Sequence, residues 1–455
     1  MLPAPTTVRW LLIAVLSSSL SSSLLCSQTV VGDEITPASM AQQIASEESD
    51  SPSSESEKIE SFPRVWNLTP AITFQLRGRI DVDAIWSSQS PKNLATYGDL
   101  GDAVGLRRAR VGGEGELGSI GRYVIEIDLA SGEVVPRDVY VGFGDFTEGG
   151  ERRAGHFREP FSLEGGTSSK YFAFLERSPV YVLDPARNWG LGFFREDQEH
   201  STTVQLGVFQ SGTDPGDFNG GPGATVDFTG KLTAAPINQD DAERLLHFGI
   251  ALTGRLPEHD VITINGQPSE TLLSTGDSPT SPFVPTINIP ATFEQLINLQ
   301  TAWARGPLWG QAEWYGALID QIGAGNVFFH GYHADLGYFV TGEHRGYEGD
   351  KGVFGPVTVK RPLMRGRAAR DRERGWGACE LTARFAYLDF YSPNAPTNSS
   401  GQVIGVRLPT ATFGANWYLA DRLRLMFNYT YEVPNQPGSG TSTASFFATR
   451  LAVYW

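Results

Sequence analysis

Arginine carries the chemistry most legible in this chain. Arg108 and Arg110 share one strand face by their spacing of two, and Arg152 and Arg158 share another. Arg122, Arg384, Arg422 and Arg424 each stand opposite residues suited to lipid, and Lys170, Arg177 and Arg187 gather in one long loop. A guanidinium stays charged and presents a planar fork of donors, which suits handing a phosphate or carboxylate from site to site. The competing reading is salt bridging, because 51 Asp and Glu outnumber 36 Lys and Arg, for a net charge of -15. Glu126 and Asp128 share a strand face and could be an acid–base pair, but nothing else marks a nucleophile or a metal. Carboxylates balancing nearby arginines are the simpler account, so no enzyme is expected.

Other motifs are weaker. Gly113-Glu114-Gly115-Glu116-Leu117-Gly118 matches a dinucleotide fingerprint by letter, but a turn and another strand follow where a helix is needed. His330 and His333 stand three apart, which on a strand puts them on opposite faces. Asp214, Asp217 and Asp227 lie in a Gly-rich stretch that could offer oxygen ligands to calcium. A bare surface loop is the simpler reading there, and no cofactor is expected. Cys26 falls in the export signal, which leaves Cys379 as a packed wall residue.

These residues must be held by strands. Tyr123, Ile125, Ile127 and Leu129 alternate with Arg122, Val124, Glu126 and Asp128, and Leu423 to Tyr431 alternate with Arg422 to Thr430. Such a period of two puts an apolar set on one face and a polar set on the other. Soluble sandwiches also alternate, but these segments run to about ten residues, longer than ordinary soluble strands of about five or six. Short turns at 118–121 and 420–421 alternate with long loops at 161–188 and 211–241, as in outer-membrane barrels. The expected fold is all-β: a closed transmembrane antiparallel barrel of about sixteen strands. Strands are expected to begin near Ala71, Leu106, Ile120, Arg137, Glu151, Asn188, Ser201, Arg244, Asp260, Phe293, Leu308, Val327, Trp376, Gly401, Arg422 and Ala444. That count puts 342–375, basic around Lys360 to Arg374, on the side of the short turns as a solvated flap.

Three segments follow. Residues 1–32 read as a signal peptide, with Arg9 ahead of a short apolar run; 33–62 form a Ser/Glu-rich disordered acidic tether; 63–455 form the barrel. The acidic balance excludes a nucleic-acid binder. Partners are outer-membrane lipid and, through Trp455 closing an alternating last strand, the barrel-assembly machinery. A secreted β-rich surface protein or hydrolase is the alternative from another class.

Several blocks together resemble one family. They are Arg107-Arg108-Ala109-Arg110, Glu126-Ile127-Asp128, Gly155-His156-Phe157-Arg158-Glu159-Pro160-Phe161, Glu176-Arg177, Gly342 to Tyr347, Trp376 to Arg384 and Gly414 to Leu419. In order, from about Phe74 to Trp455, they resemble the phosphate-selective porin O and P family. The resemblance implies a trimeric sixteen-stranded porin of the bacterial outer membrane whose third loop folds inward. It also implies an arginine ladder leading to a lysine-rich phosphate site. The anion path would then run through Arg108, Arg110, Arg122, Arg152, Arg158, Lys170, Arg177, Arg187, Arg384, Arg422 and Arg424. The matching loop, 160–188, offers Lys170 as its one lysine, where phosphate-specific members concentrate several; Lys92 and Lys351 are expected outside the narrow zone that this loop forms. Passage of small anions such as phosphate or polyphosphate is the leading expectation, and a weakly selective or sugar-type pore is the alternative within the same fold.

Overall fold

A strand that alternates apolar and polar residues can cross lipid only when both of its edges are paired. In the computed structural model this is achieved by a closed wall. The structure describes residues 65–144, 149–199, 201–211, 225–257, 259–264, 281–364 and 372–455. The expected signal peptide and tether, with Asp214, Asp217, Arg365, Arg367 and Arg370, lie outside the described residues.

The wall begins with β1 (Ile72–Gln89), β2 (Ala103–Leu117), β3 (Gly121–Asp128) and β4 (Val135–Phe143). It continues with β5 (Glu151–Arg158), β6 (Arg187–Asp197), β7 (Thr202–Ser211) and β8 (Thr225–Gln239). Then come β9 (Arg244–Pro257), β10 (Ile287–Arg305), β11 (Leu308–Gln321) and β12 (Val327–Phe339). The last four are β13 (Ala378–Phe390), β14 (Val406–Ala420), β15 (Leu423–Glu432) and β16 (Ala444–Tyr454). Each strand pairs antiparallel with its neighbour, and β16 pairs with β1 from Tyr454↔Arg79 to Ala444↔Gln89, which closes the sixteen-stranded barrel. At the seam Gly78 and Trp455 exchange two backbone hydrogen bonds of 3.0 Å, and the Trp455 ring lies against Gly78, where a Cβ would clash.

The period of two holds through this wall. Ile125, Leu129, Phe413, Phe427, Tyr429, Tyr431, Phe447 and Leu451 are exposed outward, whereas Glu126, Asp128, Arg424, Asn428 and Arg450 are buried inward. His333 is buried and His330 is not, as their odd spacing requires.

Two expectations about the wall need correction. The segment after Asp260 is no wall strand: Val261–Ile264 is a four-residue ribbon on the end of β10. The wall instead uses β8, inside the stretch read as one long loop. Gly230, Ala234, Ala235 and Pro236 interrupt its apolar pattern and hid the alternation of Val226, Phe228 and Leu232 with Asp227, Thr229 and Lys231.

The segment 342–375 is not simply a solvated flap. Arg345–Glu348 pairs with Val353–Val357, and this hairpin buries Val353, Phe354 and Val357. They pack with Trp309, Phe339, Ala378 and Tyr418 in an apolar cluster on the side of the short turns. Lys360 and Arg361 are exposed, so the basic residues of the segment say nothing about its apolar tip. On the opposite, loop side, Ile262, Ile264, Phe283 and Val284 pack with Phe161, Val180 and Leu183. Both clusters rest chiefly on β8–β14. The polar lumen is thus left against β1–β6, β15 and β16.

Candidate functional site

The third loop, residues 159–186, is carried into the barrel by polar contacts on both sides. A single turn of helix, Leu163–Gly166, is capped by Ser162, whose Oγ accepts from the Gly165 N–H at 2.8 Å. Glu313 of β11 accepts from the Leu163 and Glu164 N–H groups at 2.8 and 2.6 Å. Glu164 in turn pairs with Arg384 of β13 at 2.7 Å. Across the lumen, Arg424 of β15 donates to the Phe172 carbonyl at 2.6 Å and Arg450 of β16 donates to the Leu175 carbonyl at 2.5 Å. The loop therefore spans the interior from β11–β13 to β15–β16.

Its position divides the polar lumen. On the loop side is a cavity of about 90 Å³ lined by Arg107, Arg177, Arg384, Asp83, Glu176 and Glu432, with Thr410, Thr412 and apolar groups. On the turn side is a chamber of about 400 Å³. Its lining holds nine arginines and two lysines against four carboxylates, namely Glu114, Glu126, Asp138 and Glu348. Arg177 lines both.

The expected arginines fall into distinct settings. Arg108 pairs with Asp81 at 3.2 Å and Glu176 at 2.8 Å, and Arg110 with Asp128 at 2.7 Å. Arg122 makes a fork to Glu151, Arg187 a fork to Asp138 and Arg384 a fork to Asp335. Arg158 contacts the Tyr181 hydroxyl and lies 3.8 Å from Asp184. Arg177 donates to the Glu164 and Gly165 carbonyls and stacks on Phe172 and Tyr181, so it braces the loop from within. Arg422 and Lys170 line the turn-side chamber, the lysine 5.8 Å from the Tyr454 ring centroid. Burial and the neighbouring Arg77 and Arg79 lower the Lys170 ammonium to about 8, against an opposing pull from Glu126 and Glu114.

Arg152 is the exception. It is exposed, and its guanidinium lies 5.9 Å from the Phe193 ring beside Leu191 and Leu206 on the outer wall. The register of β5 turns Arg153 toward the lumen instead, where it pairs with Glu151 at 2.8 Å. Arg152 and Arg158 do not share a lumen face: β5 ends at Arg158, where the chain turns into the inward loop. Lys351, expected outside the narrow zone, lines the turn-side chamber from the tip of the inward hairpin. Asp227, considered for calcium, sits on β8 and pairs with Arg255 at 2.9 Å.

Several lumen cations escaped the sequence reading. Arg77 and Arg79 alternate with Gly78 and Ile80 on β1, and Arg450 alternates with Leu451 on β16, so the same parity rule would have found them. Arg107 could not be found that way. The register of β1 with β2 shifts between Asp81↔Arg108 and Val82↔Leu106, so Arg107 is an extra residue and both arginines turn inward. Arg79 differs from its neighbours in having, among the described residues, no carboxylate within ion-pair distance. It is 3% exposed, and its Nε and one terminal nitrogen have no hydrogen-bond partner.

A profile of the phosphate-selective porin O and P family matches residues 74–455. Porin O of Pseudomonas aeruginosa is 25% identical over 412 residues, covering 83% of this chain and 87% of that protein. An uncharacterized protein of Caulobacter vibrioides is 29% identical over 388 residues, covering 80% and 70%. Among solved structures, OmpT of Vibrio cholerae matches with a TM-score of 0.50 at 12% identity, covering 85% of this chain and 99% of that one. The channel DcaP of Acinetobacter baumannii matches with a TM-score of 0.50 at 9% identity, covering 85% and 98%. At such identities the two structures speak for the fold alone, a porin barrel of the outer membrane. With the profile covering the wall from Phe74 to Trp455, this chain belongs to the phosphate-selective porin O and P family.

Proposed function

We propose that this outer-membrane porin passes small anions, phosphate among them, along the arginine-bearing side of its lumen. The turn-side chamber carries the proposal: its lining holds eleven cationic side chains and four side-chain carboxylates, with Arg110, Arg122 and Arg153 paired to Asp128 and Glu151 outside that lining. A pore lined by fixed positive charge lowers the barrier for anions and raises it for cations. Most lumen arginines are paired with carboxylates, so the selective field rests on cations without such a partner, chiefly Lys170 and Arg79. That extensive pairing also supports the second reading, a weakly selective pore. Assembly into a trimer follows the family and is proposed on that ground.

Reversal potentials in a KCl gradient across a planar bilayer separate the readings. Anion preference that falls on Arg79→Gln but hardly changes on Lys92→Gln, an exposed lysine beyond the narrow zone, is the expected result. A cation-preferring wild-type pore would defeat the proposal, and a permeability ratio near unity would favour the weakly selective reading. Adding phosphate as a competitor of chloride current tests the finer claim on phosphate.

A further inference from the structure

One carboxylate in the lumen is held by three arginines at once. Glu176, in the third loop, meets three guanidiniums of the wall: Arg107 at 2.8 Å, Arg108 at 2.8 Å and Arg450 at 2.6 Å. The first two come from the bulge of β2 and the third from β16, so the seat is built by the wall and its occupant by the loop. All three guanidiniums are 2% exposed or less, and the Glu176 side chain is 14% exposed at the edge of the loop-side cavity. Burial would push the Glu176 carboxyl up, but the three arginines hold it well below the ordinary carboxylate range. The three arginines thus favour the charged carboxylate form of Glu176.

A seat of converging guanidiniums matches the oxygens of any small oxoanion, whether carboxylate or phosphate. Left empty, it would also be a trap, because flux requires that a bound ion be able to leave. A carboxylate tethered beside it competes at an effective concentration on the order of millimolar or above. We infer that Glu176 is a built-in stand-in for the permeating anion: a passing oxoanion takes the seat by exchanging with Glu176, and the returning carboxylate expels it. No covalent step is involved. The inference rests on the proposed anion path and adds the residue that sets how long an oxoanion stays.

The test uses inorganic phosphate as the blocker of chloride current through the full-length porin. Glu176→Gln keeps the shape and removes the competitor, so the half-blocking phosphate concentration should fall at least about tenfold and single block events should lengthen. Glu133→Gln, on the exposed connection between β3 and β4 and outside both cavities, removes the same charge without emptying the seat and should change block by less than about threefold. If Glu176 only holds the arginines in place, Glu176→Gln should loosen them and weaken phosphate block, which overturns the inference. Equal effects of the two variants would overturn it as well. Should Glu176→Gln fail to assemble on a heat-modifiability gel, Glu176→Asp serves. It keeps the charge but withdraws it by one methylene, so block should tighten by a smaller factor; unchanged or weaker block refutes. A cation-preferring wild-type pore would sink the anion path itself, and that is read separately from the reversal potential.

Discussion

Reversing Lys170 tests the charge logic of the lumen most directly. Its ammonium lines the turn-side chamber with no carboxylate in ion-pair contact among the described residues, so its field is offset only at longer range, by Glu126 and Glu114. An anion passing at about 6 Å gains roughly 0.7 kcal/mol from one unit charge in bulk water and about 2.8 kcal/mol at an effective dielectric near 20. Lys170→Gln removes that gain and Lys170→Glu replaces it with an equal repulsion. The reversal should therefore cost a permeating anion between about 1.4 and 5.5 kcal/mol. Since about 1.4 kcal/mol is a factor of ten, the anion-to-cation permeability ratio should drop at least about tenfold for Lys170→Glu and about threefold for Lys170→Gln. The readout is the reversal potential of the purified porin in a tenfold KCl gradient of low absolute concentration, where screening is weakest. Lys92→Glu, on the exposed helix Pro91–Tyr97, is the matched control. Indistinguishable shifts at the two lysines would refute the reasoning, because the chamber would then be no better insulated from solvent than an outer loop.

Four further outcomes are expected. With Lys170 lowered to about 8, its charge is present below that pH and lost above it, so anion preference measured in chloride should fall between pH 7 and 9.5; Lys170→Arg should abolish that fall. Trp455→Ser should reduce the heat-modifiable fraction in the outer membrane, since Trp455 lies on Gly78 at the seam where β16 meets β1; normal assembly would remove the C-terminal signal from the argument. Glu313→Gln weakens two charge-assisted bonds to the start of the inward loop, each worth roughly 1.5–3 kcal/mol, and should raise single-channel current noise while leaving the barrel folded. Deleting residues 33–62 behind an intact export signal should leave conductance unchanged, because that acidic stretch has almost nothing apolar to bury.

The wall was legible because a barrel in lipid has one local rule. Each outward position must be apolar and each inward one may be polar, so Ile125 against Glu126, or Phe427 against Asn428, declares its face without knowledge of any partner. The rule faltered where residues did not report a side. β8 carries glycine, alanines and proline through its middle, so its alternation sank below the noise, and the apolar ribbon Val261–Ile264 took its place in the count. Two errors of parity cancelled there, which kept the basic segment after β12 on the correct side of the barrel.

The interior was far less legible, and the reason is physical. Parity tells which way a side chain points; it does not tell what it meets. Arg108 and Glu176 lie 68 residues apart, and Arg384 and Glu164 lie 220 apart, joined only because the third loop crosses the lumen. A bulge at Arg107 and a register that selects Arg153 over Arg152 each follow from strand pairing, which no local pattern encodes. The overall charge pointed rightly to salt bridging, but it could not say which cations the carboxylates leave over. A chain at -15 need not have an acidic pore, because Asp83, Asp128, Asp138, Glu151 and Asp335 are each bound to one or more arginines of the wall. Removing charges in balanced pairs leaves the field to the few cations without a partner. Selectivity in such a lumen is set less by how many arginines line it than by which of them the carboxylates leave unmatched.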